Sequence, residues 1–356
     1  MGRKIRLAIA GVGNCASSLV QGLFYYKNVA EDAGFIPGLM HPVLGEYRVD
    51  DIEPVAAFEV DANKVEKDLG EAIFTPPNNT EKFSDVPKLG VEVSMGQVLD
   101  GVPPHLQEYV KVADKKTVDV SAVLKSARAD VLVNLLPTGS ARATRCYADA
   151  SIREAKVGFV NGIPELIACD PEYQRKADEN RVPLVGDDVK SQVGATILHR
   201  ALINLFQTRG VKVKRSYQLN YGGNTDFVNL VKRGETKEMT KLSAIKSLLP
   251  YEAELSAGFS FLPLLKDTKV AVILLEGEKF GGMPVRLKAE LEVIDSPNSA
   301  GVLIDAIRCA KISMDRGVGG ALTSASAYFM KHPPKQFPDE VAKQMVEEFI
   351  AGKRER

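Results

Sequence analysis

The sequence predicts an α/β protein: a domain built on a parallel sheet, carrying an inserted α+β unit with a mixed sheet. Three observations predict it. The chain opens on the apolar strand Arg6-Leu7-Ala8-Ile9-Ala10, which runs into Gly11-Val12-Gly13-Asn14-Cys15-Ala16 and then a helix. Unbroken apolar runs such as Val131-Leu132-Val133 suit strands buried on both faces. After about residue 200 the pattern changes to alternation, as in Val211 to Tyr221, the mark of half-exposed strands.

The opening strand, turn and helix carry the Gly-x-Gly-x-x-Ala pattern of a Rossmann-like, NAD-binding domain. Gly11 permits the tight turn, Gly13 lets the backbone approach a pyrophosphate, and the small Ala16 lets the helix pack on the strand. Such a domain needs an acidic residue after its second strand for the adenosine ribose, and Pro54 to Asp61 supplies it. An acid there repels a 2′-phosphate and so favours NAD. Asp61 comes later than the roughly 20 residues usual after the turn. Asn28 to Asp51, with Gly34, Pro37, Gly38, Pro42 and Gly45, accounts for the excess as an insertion placed to cover the cofactor.

Residues 62–117 are poorly periodic and hold Pro76-Pro77 and Pro103-Pro104. Regular alternation resumes with a strand at Ala129 to Leu136, a helix from Ala141 to Glu154, and strands at Val157 to Asn161 and Pro183 to Asp188. The second unit has strands at Val211 to Tyr221, Lys269 to Leu275 and Val285 to Val293. Helices near 298–316 and 339–351 can return to the first domain. The expected division is therefore 1–200, 201–297 and 298–356.

Forty-six basic residues balance forty-six acidic ones, which gives no field for a polyanion and argues against a nucleic-acid partner. No apolar run approaches the roughly 18–20 residues of a membrane span, and Arg3-Lys4 leads straight into a strand without a signal-peptide pattern. A cytoplasmic protein is expected. Cys15, Cys146, Cys169 and Cys309 are scattered, and only four histidines exist, so no metal-ligand spacing is present.

Three stretches carry chemistry. Gly186-Asp187-Asp188-Val189-Lys190-Ser191-Gln192-Val193-Gly194 ends a strand in paired carboxylates before a helix expected near Ser191. Amides of Ser191, Gln192 and Val193, with the charge of Lys190, suit a phosphate. A helix simply capped by Asp187 or Asp188 reads equally from the local pattern, although carboxyl ends of parallel strands face the ligand crevice. Gly222-Gly223-Asn224-Thr225-Asp226 makes a sharp loop with a polar tip, which a β-turn also explains. Lys237 and Lys241 lie four apart, hence on one helical face, and spacing alone describes a solvated pair.

Taken in order, the blocks Gly11 to Asn14, Asn161 to Pro164, Gly186 to Ser191, Ser216 to Asp226, Lys237 to Lys241, Asp295 to Gly301, Asp315 to Gly320 and Tyr328 to Lys331 resemble the NAD-dependent inositol-phosphate synthases. The likeness is to their shorter prokaryotic form, with a shorter glycine turn than eukaryotic members and no N-terminal extension. The resemblance implies conversion of D-glucose 6-phosphate to 1D-myo-inositol 3-phosphate. Oxidation at C5 with NAD holding the hydride, loss of a C6 proton, closure of the enolate on the C1 aldehyde and return of the hydride make a net isomerisation.

Fixed ammonium groups suit such chemistry, because they stabilise oxyanions in a water-poor site and neighbouring like charges lower a lysine pKa for proton transfer. The resemblance implies that Lys237, Lys241, Lys269 and Lys331 are the catalytic lysines. Lys237 is the proton shuttle at C5, and Lys269 and Lys331 serve the C1 and C5 oxygens. Lys241 holds phosphate with Asn224 and the amides after Lys190, while Asp188 and Asp226 orient lysines and hydroxyls. On the cofactor side it implies Gly11, Gly13, Asn14 and Cys15 at the pyrophosphate and Asp61 at the ribose. Pro137, Thr138, Gly139, Asn161, Gly162 and Asp187 line the nicotinamide. It further implies a homotetramer joined through the second sheet, a stimulating metal cation of unspecified identity, and a place in inositol and phospholipid biosynthesis. The alternative is an NAD-dependent sugar or amino-acid dehydrogenase with net release of NADH.

Overall fold

The computed structural model describes residues 4–27, 34–233 and 242–356. Its centre is a seven-stranded parallel sheet, in the order Gly320–Ala321, Pro183–Val185, Gly158–Asn161, Val131–Asn134, Ile5–Ala10, Ile52–Glu59, Val93–Met95. Alternate residues of the first strand serve opposite faces. Ile5, Leu7 and Ile9 join Leu19 and Val20 of helix Asn14–Tyr25 and Leu303 and Ile307 of helix Asp295–Asp315. Ala8 and Ala10 face the other layer, with Phe58, Leu124, Tyr147 and Phe159. Both faces are covered, which is why the middles of these strands are mostly apolar.

The second sheet has four strands, in the order Glu254–Phe261, Lys212–Gly222, Thr268–Glu278, Pro284–Ile294. The first pair is parallel and the other two antiparallel, so the sheet is mixed. Val213, Ile273 and Leu275 bury its inner face against Ile203 and Phe206 of helix Ala195–Thr208. The sheet has one strand beyond the three expected, Glu254–Phe261, in which Ser256, Gly258 and Ser260 alternate with Leu255, Ala257, Phe259 and Phe261. Helix Asp295–Asp315 then leads the chain back onto the first sheet.

The expected cover over the cofactor is not where the insertion lies. From residue 34 the insertion packs against helix Asp295–Asp315, and none of its described residues lines the groove at the strand ends. Leu39, Leu44, Tyr47 and Val49 bury in the core, and the buried Arg308 donates to the carbonyls of His41 (2.7 Å) and Tyr47 (3.1 Å). That combination of apolar burial and guanidinium hydrogen bonds to carbonyls fixes the segment on this side. The poorly periodic 62–117 region takes the covering place instead, with Pro77, Val102, Pro103, Leu106 and Val110 on the groove wall. Among the described residues no helix is long and apolar enough to cross a membrane.

Candidate active site

Strand Ile5–Ala10 delivers the glycine turn to the carboxyl edge of the sheet. Gly11 has φ +91°, and a Cβ there would stand 2.6 Å from the Leu135 carbonyl oxygen, so a side chain is excluded. Nothing lies within 4 Å of a Cβ placed on Gly13, which leaves open space above the turn. Helix Asn14–Tyr25 starts there without a side-chain cap, so its first amides face the groove. Glu59, at the end of the second strand, accepts a hydrogen bond from Val12 N at 2.9 Å.

Asp61 follows it, 1% exposed. Its Oδ1 accepts from Asn63 N at 3.0 Å, but its Oδ2 is buried without a hydrogen-bond partner on the groove wall. Burial raises the pKa of this carboxyl. An orphaned buried acceptor beside an open glycine turn fits a dinucleotide, whose ribose hydroxyls donate. Lys64, with no motif to announce it, is also buried here and donates to Val12 O (2.9 Å) and Asn78 Oδ1 (2.8 Å), fixing the turn. Its pKa is lowered by burial, against the pull of Glu59 and Asp61.

The groove continues into a second cleft through Gly13, Leu135, Leu136, Pro137 and Thr138, and two lysines project there. Residues 187–190 pair with 329–332: Lys331 N donates to Asp188 O (2.6 Å) and Lys190 N to Phe329 O (2.8 Å). This short ladder sets Lys331 Nζ 2.7 Å from Asp188 Oδ1. Strand Thr268–Glu278 brings Lys269 to the head of helix Asp295–Asp315, where its ammonium bonds Asp295 Oδ1. Asp226 accepts from Thr138 Oγ1 at 3.3 Å. Cys15, Asn224 and Asp226 line the same cleft. Lys237 and Lys241 lie outside the described residues.

Two acidic residues of this site received no role from the sequence, although Asp295 opens one of the matching blocks. Asp295 is the counter-ion of Lys269. Asp267, almost fully buried, accepts from Asn224 Nδ2 (2.9 Å), Asn14 Nδ2 (3.2 Å) and Ser296 Oγ (2.8 Å). Burial raises its pKa. It ties the glycine turn to the second sheet. Lone aspartates between apolar strands look like any loop residue until the fold assembles them.

Several expected contacts go elsewhere. Asp187 is fully buried, accepting from Asn161 Nδ2 (2.7 Å), Ala168 N (3.0 Å), Ile167 N (3.0 Å) and Cys169 N (3.1 Å). Burial pushes its pKa up to about 6, while these four donors hold it ionised at neutral pH. Asn161 is likewise spent on Asp187 and Glu165 O, so both residues, expected at the nicotinamide, shape the 162–169 loop and line neither the groove nor the cleft. Gly162 does line the cleft. Gly139 turns its N–H to Glu165 Oε1 (3.2 Å).

The expected phosphate amides shift along the chain. The helix begins at Ala195, not near Ser191. Gln192 N and Val193 N already donate to Asn298 O (3.0 Å) and Oδ1 (2.9 Å), and the Gln192 side chain donates to Gly38 O. Lys190 points inward, to Ala327 O (2.8 Å) and Asp339 Oδ1 (3.2 Å), and burial lowers its pKa to about 8. Ser191 stays on the cleft, together with Gly194, Ala195, Thr196 and Ile197. That 14-residue helix has no side-chain cap, so its first-turn amides are the ones offered to an anion. Among the described residues no group of three or more His, Cys, Asp or Glu could hold a metal.

The family described as Myo-inositol-1-phosphate synthase matches residues 194–296. The chain is 50% identical to the inositol-3-phosphate synthase of Mycobacterium tuberculosis over 355 residues, covering 98% of this chain and 96% of the relative. It is 49% identical to that of Corynebacterium glutamicum over 357 residues, covering 97% and 98%. Among solved structures, a myo-inositol-1-phosphate synthase-related protein from Thermotoga maritima superposes with a TM-score of 0.77 at 26% identity, covering 98% of each chain.

Proposed function

The chain belongs to the myo-inositol-1-phosphate synthase family, and from that premise we propose that it is an NAD-dependent inositol-3-phosphate synthase. Its substrate is D-glucose 6-phosphate and its product 1D-myo-inositol 3-phosphate. The observation that carries this reading is the pair of ammonium–carboxylate contacts, Lys331 with Asp188 and Lys269 with Asp295, in one cleft continuous with the groove of the glycine turn.

Gly11, Gly13 and the first amides of helix Asn14–Tyr25 would hold the pyrophosphate of NAD, and Asp61 the ribose. When bound, NAD supplies a reversible hydride acceptor for the sugar. The chain does the rest. Lys331 and Lys269 place positive charge beside the oxygens at C5 and C1 as these turn anionic, and each carboxylate fixes its ammonium before reaction. The apolar side chains of Leu106, Val110, Phe227, Leu230 and Phe259 line the same space, and a dry wall strengthens those charge interactions. Ser191 and the amides of Ala195, Thr196 and Ile197 receive the phosphate. Lys237 moves the C5 proton, and Lys241 adds charge at the phosphate. Asn224, anchored on Asp267, and Asp226 orient hydroxyls. The assembly is a homotetramer joined through the second sheet, whose outer face exposes Tyr217 and Leu219.

The test is incubation with glucose 6-phosphate and a catalytic amount of NAD, followed by phosphorus NMR. An inositol phosphate should accumulate with no net growth of reduced nicotinamide. Stoichiometric NADH would instead identify a dehydrogenase and overturn the reading.

A further inference from the structure

The loop after strand Val131–Asn134 is gripped by one helix of the second unit. Thr138, buried in this loop, stands where the groove and the cleft meet and lines both. Helix Thr225–Arg233 takes both its side chain and its backbone. Thr138 Oγ1 donates to Asp226 Oδ1 at 3.3 Å, and Thr138 O accepts from Asn229 Nδ2. Residues three apart share one helical face, so the two contacts clamp a single residue. Asn229 is itself buried and lies on the groove wall. A carbonyl can only accept, so the amide nitrogen of Asn229 is the atom turned to Thr138. Its oxygen is thereby turned to His105 Nε2, 3.1 Å away, and that nitrogen carries the proton. His105 sits in the short turn Pro104–Leu106 of the covering segment, beside Pro103 and Leu106 of the groove wall. One buried amide thus joins three parts distant in sequence: the loop expected at the nicotinamide, the helix that carries Asp226, and the cover.

We propose that Asn229 is a positioning residue for hydride transfer, fixing the nicotinamide side of the groove in one register with the sugar hydroxyls that Asp226 orients. The inference rests on the synthase reading above and deepens it. Hydride transfer needs its two carbons held about 3–3.5 Å apart, and in this reaction the hydride crosses twice, out to the cofactor and back. The wall beside the nicotinamide follows a strand of the first sheet, whereas helix Thr225–Arg233 follows strand Lys212–Gly222 of the second. Their spacing therefore has to be set by contacts between the two. Apolar contacts are non-directional. A buried amide bonded at both ends is not, because shifting it leaves a buried donor and a buried acceptor unpaired. Asn229 supplies that fixed contact and acts through Thr138. The same helix runs on in sequence toward Lys237 and Lys241, so the register it sets is also theirs.

The test is Asn229→Leu in the full chain with NAD, an exchange that keeps the branched shape and removes both polar ends. Turnover of glucose 6-phosphate to inositol phosphate should fall about ten- to hundredfold. Affinity for ADP-ribose, which lacks the nicotinamide, should stay at the value of the unaltered chain. Deuterium at C5 of the sugar separates lost positioning from damage elsewhere. The slowing it causes in kcat should be as large in the variant as in the unaltered chain, or larger, because hydride transfer has become the slower step. A smaller isotope effect, weakened ADP-ribose binding or retained turnover overturns the proposal. His105 gives a second arm that does not depend on how Asn229→Leu folds. His105→Leu removes the donor that fixes the amide and should lower kcat about threefold or more. His105→Gln, whose amide nitrogen can donate in its place, should restore most of that loss; equal kcat for the two His105 variants overturns the proposal. An unaltered chain that forms no inositol phosphate overturns the synthase reading and this inference with it. Undiminished product from both the unaltered chain and Asn229→Leu overturns the inference alone.

Discussion

Lysines on protein surfaces are held by water; Lys331 and Lys269 are held by carboxylates inside a cleft. Their side chains are 11% and 14% exposed, against 2% for Asp188 and 19% for Asp295. A cation so placed is oriented before any substrate arrives. Replacing Lys331 by Met should lower turnover by about 10²–10³ and, because the buried Asp188 loses this counter-ion, should also lower the thermal midpoint; retained turnover in the folded protein would remove Lys331 from the chemistry. Asp61 makes a separate test, because its free Oδ2 has nothing to do in the unliganded chain. Asp61→Ala should weaken binding of both NAD and ADP-ribose, by calorimetry, about ten- to hundredfold, the range expected for losing one hydrogen bond to a charged group. Of these residues, Lys331 and Asp61 were legible in the sequence because each sits in a recognisable block or at a strand end. Lys64 and Asp267 were not, since each acquires its role from groups far away along the chain, as Asp267 does from Asn14; Asp295 opens a recognisable block, but its pairing with Lys269 shows only once the chain is folded.

Whole elements divide in the same manner. The parallel strands were legible because burial on both faces demands unbroken apolar runs, and Val131–Asn134 is one. The start of helix Ala195–Thr208 was not. Asp187, Asp188 and Ser191 are good capping residues, but their stretch is occupied by pairing with 329–332 and with Asn298. Capping propensity is local, and this competition is not. The correction has a direct test. Proline is tolerated at the first helical position, and Gly194 before it already has extended geometry, φ −120° and ψ 171°. Ala195→Pro should therefore keep the helix while deleting one amide. If that amide binds the phosphate, KM for glucose 6-phosphate should rise about tenfold or more with circular dichroism unchanged. An unchanged KM would move the phosphate elsewhere.

Across the whole molecule, the last helix, Asp339–Ile350, fastens parts that are far apart in sequence. Its first residue, Asp339, is the shared counter-ion of two buried cations, Lys190 (3.2 Å) and Arg200 (2.6 Å). Asp339→Ala leaves both without it, and should cost about 3 kcal/mol or more in denaturant unfolding; a cost below about 1 kcal/mol would show that the cations find other partners. Further along, Glu347 meets His41 of the insertion at 3.2 Å, and Asp305 of helix Asp295–Asp315 meets the same ring at 2.5 Å. Arg308 also bonds Asp305, so the imidazole faces two carboxylates and one guanidinium. Burial lowers the His41 pKa, but the hydrogen bonds and charges of Asp305 and Glu347 outweigh it, and the net shift is upward from 6.5. The folded chain thus holds this proton more tightly than the unfolded chain. Its stabilisation is complete below about pH 6.5 and is lost as pH rises through the raised value. Thermal midpoints of the unaltered chain should fall over that interval relative to His41→Gln, which cannot titrate. Parallel pH profiles for the two proteins would mean that the folded chain binds this proton no more tightly than the unfolded chain, leaving the insertion held by Arg308 and its apolar contacts.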